Sequence, residues 1–576
     1  MEKMRKWKML LVLSCFTVML FLPHGGRVRA DGFPVMGGCG ANLTYMISSN
    51  GVLTITGEGD MTNFTDAGSV PWFQYRTFIS SVVFDGNVTS IGAYAFNYCT
   101  GLGQITLPET VKGIGASAFA GCSSLTEFRV PPKVTGIGAS AFAGCSSLSQ
   151  ITLPDGLISI GANAFNGCRN LGSIVVPESV TSIGKGAFDN SGIDDSNIAF
   201  LRGSCGENVK WELLGGRKLR IYGSGAMADY ASGAAPWYAN AAEITELVIA
   251  DGVTEIGDYT FRGCTAIRTA SLPGGIRRIG KSAFEGCTGL LAFSFGTSLA
   301  QIADRAFFQS GLTAVEFLGN GKVSVGDAAF SECVSLKRVG FAQGVFELGK
   351  NLFSGCTKLE TVSIEASVKQ MGSHMFSGCT ALTSVSLGAG VESLGANMFE
   401  GCTALPAAVF PEGVEELPDH MFSGCTKIAR AELPDTVTGI GANVFAGCSG
   451  LKEVVFSENT ETVGTLAFKN CTGLKEIVIP ESVKSFEIGA FSGCSGLLRI
   501  TLPFVGASRE HEKASAETLF GYIFGSTAYE GGTVASQHFS DKGYCGYILP
   551  DSLTEVTVTG GALLDGAFDH CAGLKK

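Results

Sequence analysis

A phenylalanine that recurs every 23 residues is the feature of this sequence that most restricts its fold. Five phenylalanines form a first series: Phe96, Phe119, Phe142, Phe165 and Phe188. A second series keeps the same step through eleven more, from Phe261 to Phe491, and one further unit carries Phe568. A unit of this size cannot bury its apolar side chains alone, but stacked copies bury them against one another. The spacing therefore predicts a solenoid of about 17 rungs.

Each unit repeats the same internal order of apolar, polar and small residues. The stretch LTEFRVP, residues 125–131, places Leu125, Phe128 and Val130 at apolar positions with polar residues between them. This pattern is typical of the strand half of a leucine-rich repeat, whose period is about 20–29 residues. An Ile-Gly, an Ala-Phe and a Gly-Cys follow, so we expect a turn and a returning segment with Ile137 and Phe142 directed inward. The predicted fold is an α/β-type repeat solenoid, a right-handed stack with a parallel β-sheet on one face.

A longer duplication divides the chain into two copies of a cap followed by rungs. CGANLTYMISSNGVLTITGEGDM begins at Cys39, CGENVKWELLGGRKLRIYGSGAM begins at Cys205, and each continues to a Pro-Trp-aromatic trio. We expect β-rich caps, because the end of a stack exposes apolar side chains that must be covered. The predicted segments are a signal peptide at 1–30, a cap at 31–80, a solenoid at 81–200, an internal cap at 201–245, a second solenoid at 246–503, a Gly/Tyr/Phe-rich insertion at 504–546 and a terminal unit at 547–576.

The N-terminal 30 residues have the composition of a secretory signal. Four basic residues among the first eight precede the apolar run at 9–22, which is shorter than the roughly 20 residues that span a bilayer. We expect cleavage near Ala30. Residues 1–30 carry six Lys/Arg and one Glu, so the remaining chain has a net charge of −16. That charge disfavours nucleic acid as a partner, and no later apolar stretch is long enough to cross a membrane.

With these features the sequence resembles the BspA-like, treponemal-type leucine-rich repeats of bacterial surface proteins, also found in some protozoan parasites. The resemblance rests on the period, on strands ending in an apolar residue and proline, such as Leu107-Pro108, and on the pattern V-x-x-I-G-x-x-A-F-x-x-C-x-x-L. It covers nearly everything after residue 80. It implies secretion or surface display and adhesion to host matrix proteins or other cells, with fibronectin- and fibrinogen-type proteins among the ligands.

The cysteines are the strongest candidates for chemistry, since 15 of the 19 stand three residues after a repeat phenylalanine. Neighbouring cysteines in a ladder have parallel Cβ vectors, whereas a disulfide needs a dihedral angle near 90°. Ser310 replaces the cysteine in one rung. We therefore expect small buried thiols rather than a disulfide or zinc framework. His374 and His420 lie two rungs apart, about 10 Å, too far to share one ion, so we predict no metal site and no cofactor.

Catalytic motifs are missing from the sequence, and we predict that the protein is not an enzyme. It has no G-x-S-x-G, H-E-x-x-H or P-loop. Glu453 and Glu476 fall one rung apart in the same strand column, but a glycosidase pair needs a cleft and one raised pKa. A solvated sheet face is the favoured explanation for these glutamates.

Binding residues are expected on the outward face of the sheet and among the aromatic residues. The sheet candidates are Glu127, Arg129, Gln150, Arg338, Arg430, Glu432, Glu453, Glu476 and Arg499. The aromatic candidates are Trp72, Trp237 and Tyr238 in the caps and Tyr522, Tyr529, Tyr544 and Tyr547 in the insertion. For the cap tryptophans, sealing the end of the solenoid is the favoured alternative; for the insertion tyrosines both roles stay open.

The expected partners are proteins or glycoproteins of a host matrix or of other cells, because a broad polar face suits a large partner. Two alternatives remain: a glycan-binding surface module, or the scaffold portion of a larger surface protein. The sequence does not indicate an oligomeric state.

Overall fold

The computed structural model describes residues 32–576 except 197, 318–320, 342–343, 366, 389 and 412. The predicted signal peptide at 1–30 lies outside the described residues. The chain forms two compact units, Met1–Asp195 (unit 1) and Ser196–Lys576 (unit 2). Both units are parallel β-solenoids with little helix, as the repeat predicts, with about 16 turns in total against the 17 rungs counted in the sequence. The fold class is confirmed.

The strands of unit 1 are short, apart from those of the cap. They are β1 Val35–Gly38, β2 Leu43–Ile47, β3 Val52–Asp60, β4 Ser81–Ser90, β5 Gly113–Ile114, β6 Glu127–Arg129, β7 Gly136–Ile137, β8 Gln150–Thr152, β9 Ser159–Ile160 and β10 Ser182–Ile183.

Unit 2 repeats this plan over more rungs. Its strands are β11 Ala199–Ser204, β12 Val209–Leu214, β13 Lys218–Gly223, β14 Gly225–Ala226, β15 Glu246–Ile249, β16 Val253–Ile256, β17 Thr269–Ser271, β18 Arg278–Ile279, β19 Gln301–Ile302, β20 Ala314–Phe317, β21 Lys322–Val325, β22 Arg338–Phe341, β23 Val345–Leu348, β24 Thr361–Ile364, β25 Ser384–Leu387, β26 Glu416–Leu417, β27 Arg430–Glu432, β28 Gly439–Ile440, β29 Glu453–Val455, β30 Thr462–Val463, β31 Glu476–Val478, β32 Ser485–Phe486, β33 Arg499–Leu502, β34 Gly532–Ser540, β35 Gly543–Pro550 and β36 Glu555–Val558.

Helical structure among the described residues is limited to short 3-10 segments. These are Ala67–Ser69, Phe73–Tyr75, Tyr238–Asn240, Ala516–Thr518 and Phe520–Ile523. The returning half of each rung is therefore made of turns. None of the described helices has the length and apolar character needed to cross a membrane.

Two parallel strand columns run along each solenoid. The first is the predicted sheet, in which β6 pairs with β8 and β20, β22, β24 and β25 pair in order. The second is formed by the Ile-Gly segments, where β5, β7, β9 and β10 pair in order in unit 1. The sequence pattern predicts these segments only as part of the return, not as a second sheet. Two residues per rung are enough here, because each one bonds to the copies on both sides.

Each unit begins with an antiparallel meander that joins the parallel stack. In unit 1, β1 pairs with β2 and β2 with β3 in antiparallel fashion, and β3 then pairs in parallel with β4. In unit 2, β11, β12 and β13 form the same meander, and β13 pairs in parallel with β15. The meander satisfies the backbone groups of the first rung, which has no preceding rung to bond to.

The repeat phenylalanines form a continuous stack inside each unit. Their ring centroids are 5.1 to 5.8 Å apart, as in Phe119–Phe142 at 5.3 Å and Phe376–Phe399 at 5.6 Å. The backbone N–H of Phe119 donates to the carbonyl of Ala141 in the next rung at 2.7 Å, and this bond recurs along the stack. Ile137 and Phe142 are both buried, as predicted.

Fourteen of the fifteen ladder cysteines lie beside this stack as buried free thiols, as predicted, and Cys571 in the terminal rung is a half-buried free thiol. In twelve rungs the thiol donates to the phenylalanine carbonyl of the preceding rung, for example Cys122 Sγ to Phe96 O at 3.1 Å. The same carbonyl accepts the Cys99 backbone N–H at 3.1 Å. The thiol thus uses the second lone pair of a buried carbonyl that would otherwise have one partner. Where Ser310 replaces the cysteine, its hydroxyl lies 3.2 Å from Cys333 Sγ.

Two glycines of the repeat are required by backbone geometry. A Cβ on Gly138, in the Ile-Gly segment, would lie 2.5 Å from the backbone nitrogen of Ala116 in the preceding rung. Gly144, in the Gly-Cys segment, has φ +74°, a backbone conformation that residues other than glycine adopt only with steric strain. The close spacing of rungs therefore depends on both positions.

The stretch 504–546, where the 23-residue step is lost, contains a further turn of the stack. The Phe491 N–H donates to Ile523 O, which places Phe524 next to Phe491 with 6.5 Å between ring centroids. The Phe520 N–H donates to Ala567 O, and the Phe520 ring packs against Phe568 at a tilt of 33°, with centroids 5.0 Å apart. The rest of the stretch enters the antiparallel hairpin of β34 and β35. Meanwhile β36 pairs directly with β33, so the first strand column passes over the whole stretch.

Replacing Phe376 with alanine should lower the free energy of unfolding of unit 2 by about 3–5 kcal/mol, because a fully buried ring is removed from between two others. Chemical denaturation followed by circular dichroism measures the change. Ser384→Ala, on the exposed face of β25, serves as the matched control and should change the value by no more than about 0.5 kcal/mol. Equal denaturation midpoints for the two variants would contradict the stacked-core description.

The thiol ladder predicts a loss of stability at alkaline pH. Burial raises the pKa of Cys122, Cys448 and Cys494 from 9.0 to about 12. The folded state therefore favours the protonated thiol, so the stabilisation is complete below pH 9 and is lost as pH rises towards about 12. Cys448→Ala should reduce this loss by about 1.4 kcal/mol per pH unit.

Denaturation midpoints of the unmodified chain and of Cys448→Ala are compared at pH 7.5, 9.5 and 10.5. The two proteins share every other group that titrates in this range, so the difference between them reports on Cys448 alone. Thiol titration supplies the control: the unreduced protein should react slowly when native and should release free thiols when unfolded. An unfolded, unreduced chain without free thiols would show that the ladder is oxidised.

Candidate interaction surface

The outward side chains of the first strand column form an exposed face in each unit. Alternate residues of a strand point to opposite sides, and β27 and β31 accordingly alternate exposed, buried, exposed. The buried residues join the phenylalanine core, while the exposed ones vary from rung to rung. All nine sheet residues predicted to bind lie on this face and are exposed.

Charged side chains of unit 2 line up in one column of this face. The column contains Arg430, Glu453, Glu476, Arg499 and Glu555. Arg430 is the register partner of Glu453, and Arg499 is the partner of both Glu476 and Glu555. The order of charges along the stack is therefore positive, negative, negative, positive, negative. We name these five residues the charged column.

Neighbours in the charged column form ion pairs across the rungs. Arg430 Nε lies 3.2 Å from a Glu453 carboxylate oxygen, and Arg430 Nη1 lies 2.9 Å from Glu432. Arg499 Nε lies 3.4 Å from Glu476. All of these side chains remain about half exposed, so each pair stabilises the fold by no more than about 1 kcal/mol. Such pairs can be exchanged for contacts with a partner at little cost.

The remaining sheet candidates form smaller groups on the same type of face. In unit 2, Arg338 Nε lies 2.7 Å from Glu316 on the adjacent strand. In unit 1, Glu127 is the register partner of Gln150 and accepts a hydrogen bond from the Gln104 amide at 3.1 Å. Arg129 pairs with Glu109 at 2.6 Å. The structure therefore brings Arg430, Glu432, Glu453, Glu476 and Arg499 together and leaves the other four candidates in separate places.

The cap tryptophans are not part of any exposed surface, which corrects their inclusion among the binding candidates. Trp72 and Trp237 are fully buried. Their indole N–H groups donate to Ala95 O at 2.8 Å and Thr260 O at 3.0 Å. Each indole stacks on the first phenylalanine of its unit, with centroid distances of 6.2 and 5.7 Å. They occupy the position of a phenylalanine before the first rung and so close the stack, which is the alternative that sequence analysis favours.

The tyrosine candidates divide into exposed and structural residues. Tyr238 and Tyr544 are exposed, and Tyr544 is the more so at 66%. Tyr529 is half-buried and donates its hydroxyl to Ile548 O at 3.1 Å, and burial raises the pKa of Tyr522. Tyr547 is buried and donates to Ala516 O. Of the insertion tyrosines, Tyr544 alone combines large exposure with a place in the hairpin of β34 and β35.

The structure also joins three side chains that sequence reasoning does not connect. His538 lies in β34, while Asp569 and His570 follow Phe568 in the terminal rung. They form the one group of three metal-capable side chains found among the described residues. Thirty residues of loop and hairpin separate the members, so no spacing in the sequence indicates the cluster.

Comparison with known proteins agrees with the repeat architecture. The sequence profile of the "BspA type Leucine rich repeat region" matches in six copies over residues 71–194, 236–322, 317–429 and 419–508. These ranges include more than half of the chain. No curated protein matches the sequence.

Several solved structures are similar to the chain at low identity. A leucine-rich repeat protein from Bacteroides ovatus is 24% identical, with 72% of this chain and 92% of that chain covered and a TM-score of 0.35. A leucine rich cell surface protein from Faecalibacterium prausnitzii is 19% identical, with 92% and 97% covered and a TM-score of 0.23. The pneumococcal vaccine antigen PcpA is 15% identical, with 93% and 96% covered and a TM-score of 0.25.

Replacing Arg430 with alanine should lower the free energy of unfolding by less than about 1 kcal/mol, because both of its ion pairs are exposed. Raising the salt concentration to 0.5 M should remove most of the difference from the unmodified chain. Denaturation curves at low and high salt provide the measurement. A salt-independent loss of several kcal/mol in the free energy of unfolding would show that the charged column stabilises the fold and is not available to bind a partner.

Proposed function

The chain belongs to the BspA-type leucine-rich repeat family, and from this we propose that it is a secreted or cell-surface interaction protein without catalytic activity. Its partners would be proteins or glycoproteins of a host matrix or of neighbouring cells. The face that binds them would be the exposed strand column of unit 2, centred on the charged column. The exposed tyrosines of the cap and hairpin would add contacts.

The observation that carries this proposal is the charged column itself. The core positions of successive rungs are almost identical, whereas the outward positions differ and carry an ordered series of charges. These exposed charges contribute little to the free energy of unfolding, so the stability of the fold does not explain their order. A partner with the complementary order, negative, positive, positive, negative, positive, would match them rung by rung. Complementary charge gives specificity and a fast association rate.

The size of the face favours a macromolecule over a small substrate. Eleven rungs at about 4.8 Å per strand extend for about 50 Å. A stable protein interface needs about 800 Å² from each partner, which a face of this length with its flanking turns can supply. Small substrates are held in deep apolar pockets, whereas the apolar side chains of these rungs are packed into the core.

Secretion or display at the surface is the part of the proposal that rests on the N-terminal sequence. A basic segment, an apolar run and a small-residue site near Ala30 together have the composition of a signal peptide. The acidic character of the remaining chain agrees with an extracellular partner other than nucleic acid.

A double charge reversal tests the proposed face. Arg430→Glu with Arg499→Glu should weaken binding to a captured matrix protein or glycoprotein at least tenfold, because two positive contacts become repulsive. Arrays of matrix proteins and of glycans, read at low and at physiological salt, identify the ligand class and measure the change. The matched control is Lys369→Glu with Lys484→Glu, which alters the net charge equally but at exposed ion pairs near the second strand column.

Loss of binding in the first variant and retention in the control would support the proposal. Equal losses in the two variants would attribute binding to net charge and overturn the assignment of the face. Retention on glycans but on no matrix protein would overturn the protein-ligand proposal in favour of a glycan-binding module.

A further inference from the structure

The hairpin of β34 and β35 is held firmly against the terminal rung at one buried side chain. Gln537 is fully buried and accepts the Gly521 N–H at 2.7 Å. Its amide nitrogen donates to Ala567 O at 3.0 Å and lies 3.3 Å from Cys571 Sγ. A buried amide with these partners fixes the position of the strand on either side of it. The next residue along the hairpin is His538.

His538 meets two residues of the terminal rung. Its Nδ1 lies 2.7 Å from one Asp569 carboxylate oxygen, and His570 Nδ1 lies 2.9 Å from the other oxygen. The two imidazole rings have centroids 5.3 Å apart. One ligand atom from each of the three residues lies within 4.8 Å of the others. Both imidazoles therefore converge on the same carboxylate from different segments of the chain.

From this geometry we propose that His538, Asp569 and His570 form a binding site for a divalent first-row transition ion, with zinc as the probe. Two imidazole nitrogens and one carboxylate oxygen are ligands that zinc and its neighbours prefer. Calcium and magnesium favour a shell of oxygens, which this site does not supply. Coordination through Nδ1 would replace the two contacts with Asp569, and each neutral imidazole would then carry its ring proton on Nε2.

The backbone brings the hairpin and the terminal rung close together at the site. Gly566 has φ +77°, and a Cβ there would lie 1.7 Å from His538 O, so the hairpin approaches the terminal rung as closely as glycine permits. His570 has φ +53° at the turn position where most rungs carry glycine. The three ligand atoms lie within 4.8 Å of one another and would have to come to about 3.3 Å in a zinc shell.

The consequence of binding would be a clamp between the hairpin and the end of the repeat stack. The side chains of His538 and His570 are about half exposed, so at least one coordination position would remain open to water or to a side chain of a partner. The site lies outside the charged column. It is independent of the proposed function, because the metal alone tests it.

Isothermal titration of the chelator-treated, tag-free chain with zinc chloride at pH 7.5 tests this proposal. We expect one equivalent of zinc to bind, and a weakening of at least about tenfold in each of His538→Ala, His570→Ala and Asp569→Asn. A titration with cobalt(II) followed by visible absorption reports directly on coordination by the imidazoles. His420→Ala, at a turn position of an earlier rung, is the matched control and should bind as the unmodified chain does.

Three outcomes would overturn the proposal. They are no heat of binding with up to 0.1 mM zinc, an affinity unchanged in the His538→Ala/His570→Ala double variant, and an affinity for calcium equal to that for zinc. Circular dichroism of every variant confirms that the fold is retained. A zinc-dependent rise in melting temperature that is lost in the double variant would support the clamp.

Discussion

The stacking of one phenylalanine on the next is the interaction on which the rest of this structure depends. A single 23-residue rung cannot enclose its own aromatic ring, so each rung is folded only because its neighbours are folded. Centroid distances of 5.1 to 5.8 Å hold the rungs at the spacing at which both strand columns and the turn segments can hydrogen-bond. That spacing in turn requires glycine at positions such as Gly138, where two backbones nearly touch. Stability is therefore a property of the stack and not of the unit.

The same stack explains the recurring cysteines, which in the sequence are the strongest candidates for a chemical role. A cysteine in most rungs of a chain expected to be secreted indicates disulfides, but in twelve rungs the thiol completes the hydrogen bonding of a buried phenylalanine carbonyl in the preceding rung. Serine fits this position, as Ser310 shows, whereas cysteine adds an apolar surface that suits burial. The tryptophans of the caps follow the same logic, because each indole stacks on the first phenylalanine and its N–H satisfies a carbonyl of that first rung.

Because the scaffold uses the inward side chains, the outward ones are free to vary, and both proposals concern them. Four members of the charged column, from Arg430 to Arg499, lie 23 residues apart, so the repeat already aligns them, while Glu555 joins them because β36 pairs with β33. The histidine cluster depends on residues that the loss of the 23-residue step separates. Their meeting follows from Gln537, which anchors the hairpin on the terminal rung, and from Gly566, which permits the close approach.

Local pattern and period determined the solenoid, its rungs, its caps and the buried state of the thiols, because each of these follows from a spacing repeated many times. The direction of an outward side chain such as Arg430 was also predictable, since strands alternate. Only the tertiary structure decided between the two roles that the sequence allows for Trp72 and Trp237. It alone showed that the Ile-Gly segments form a second sheet, that Phe524 packs against Phe491 and that His538 reaches Asp569. These features depend on contacts between segments that are not related by the 23-residue repeat. Whether such segments meet is decided by how the whole chain packs, which no local spacing in the sequence reveals.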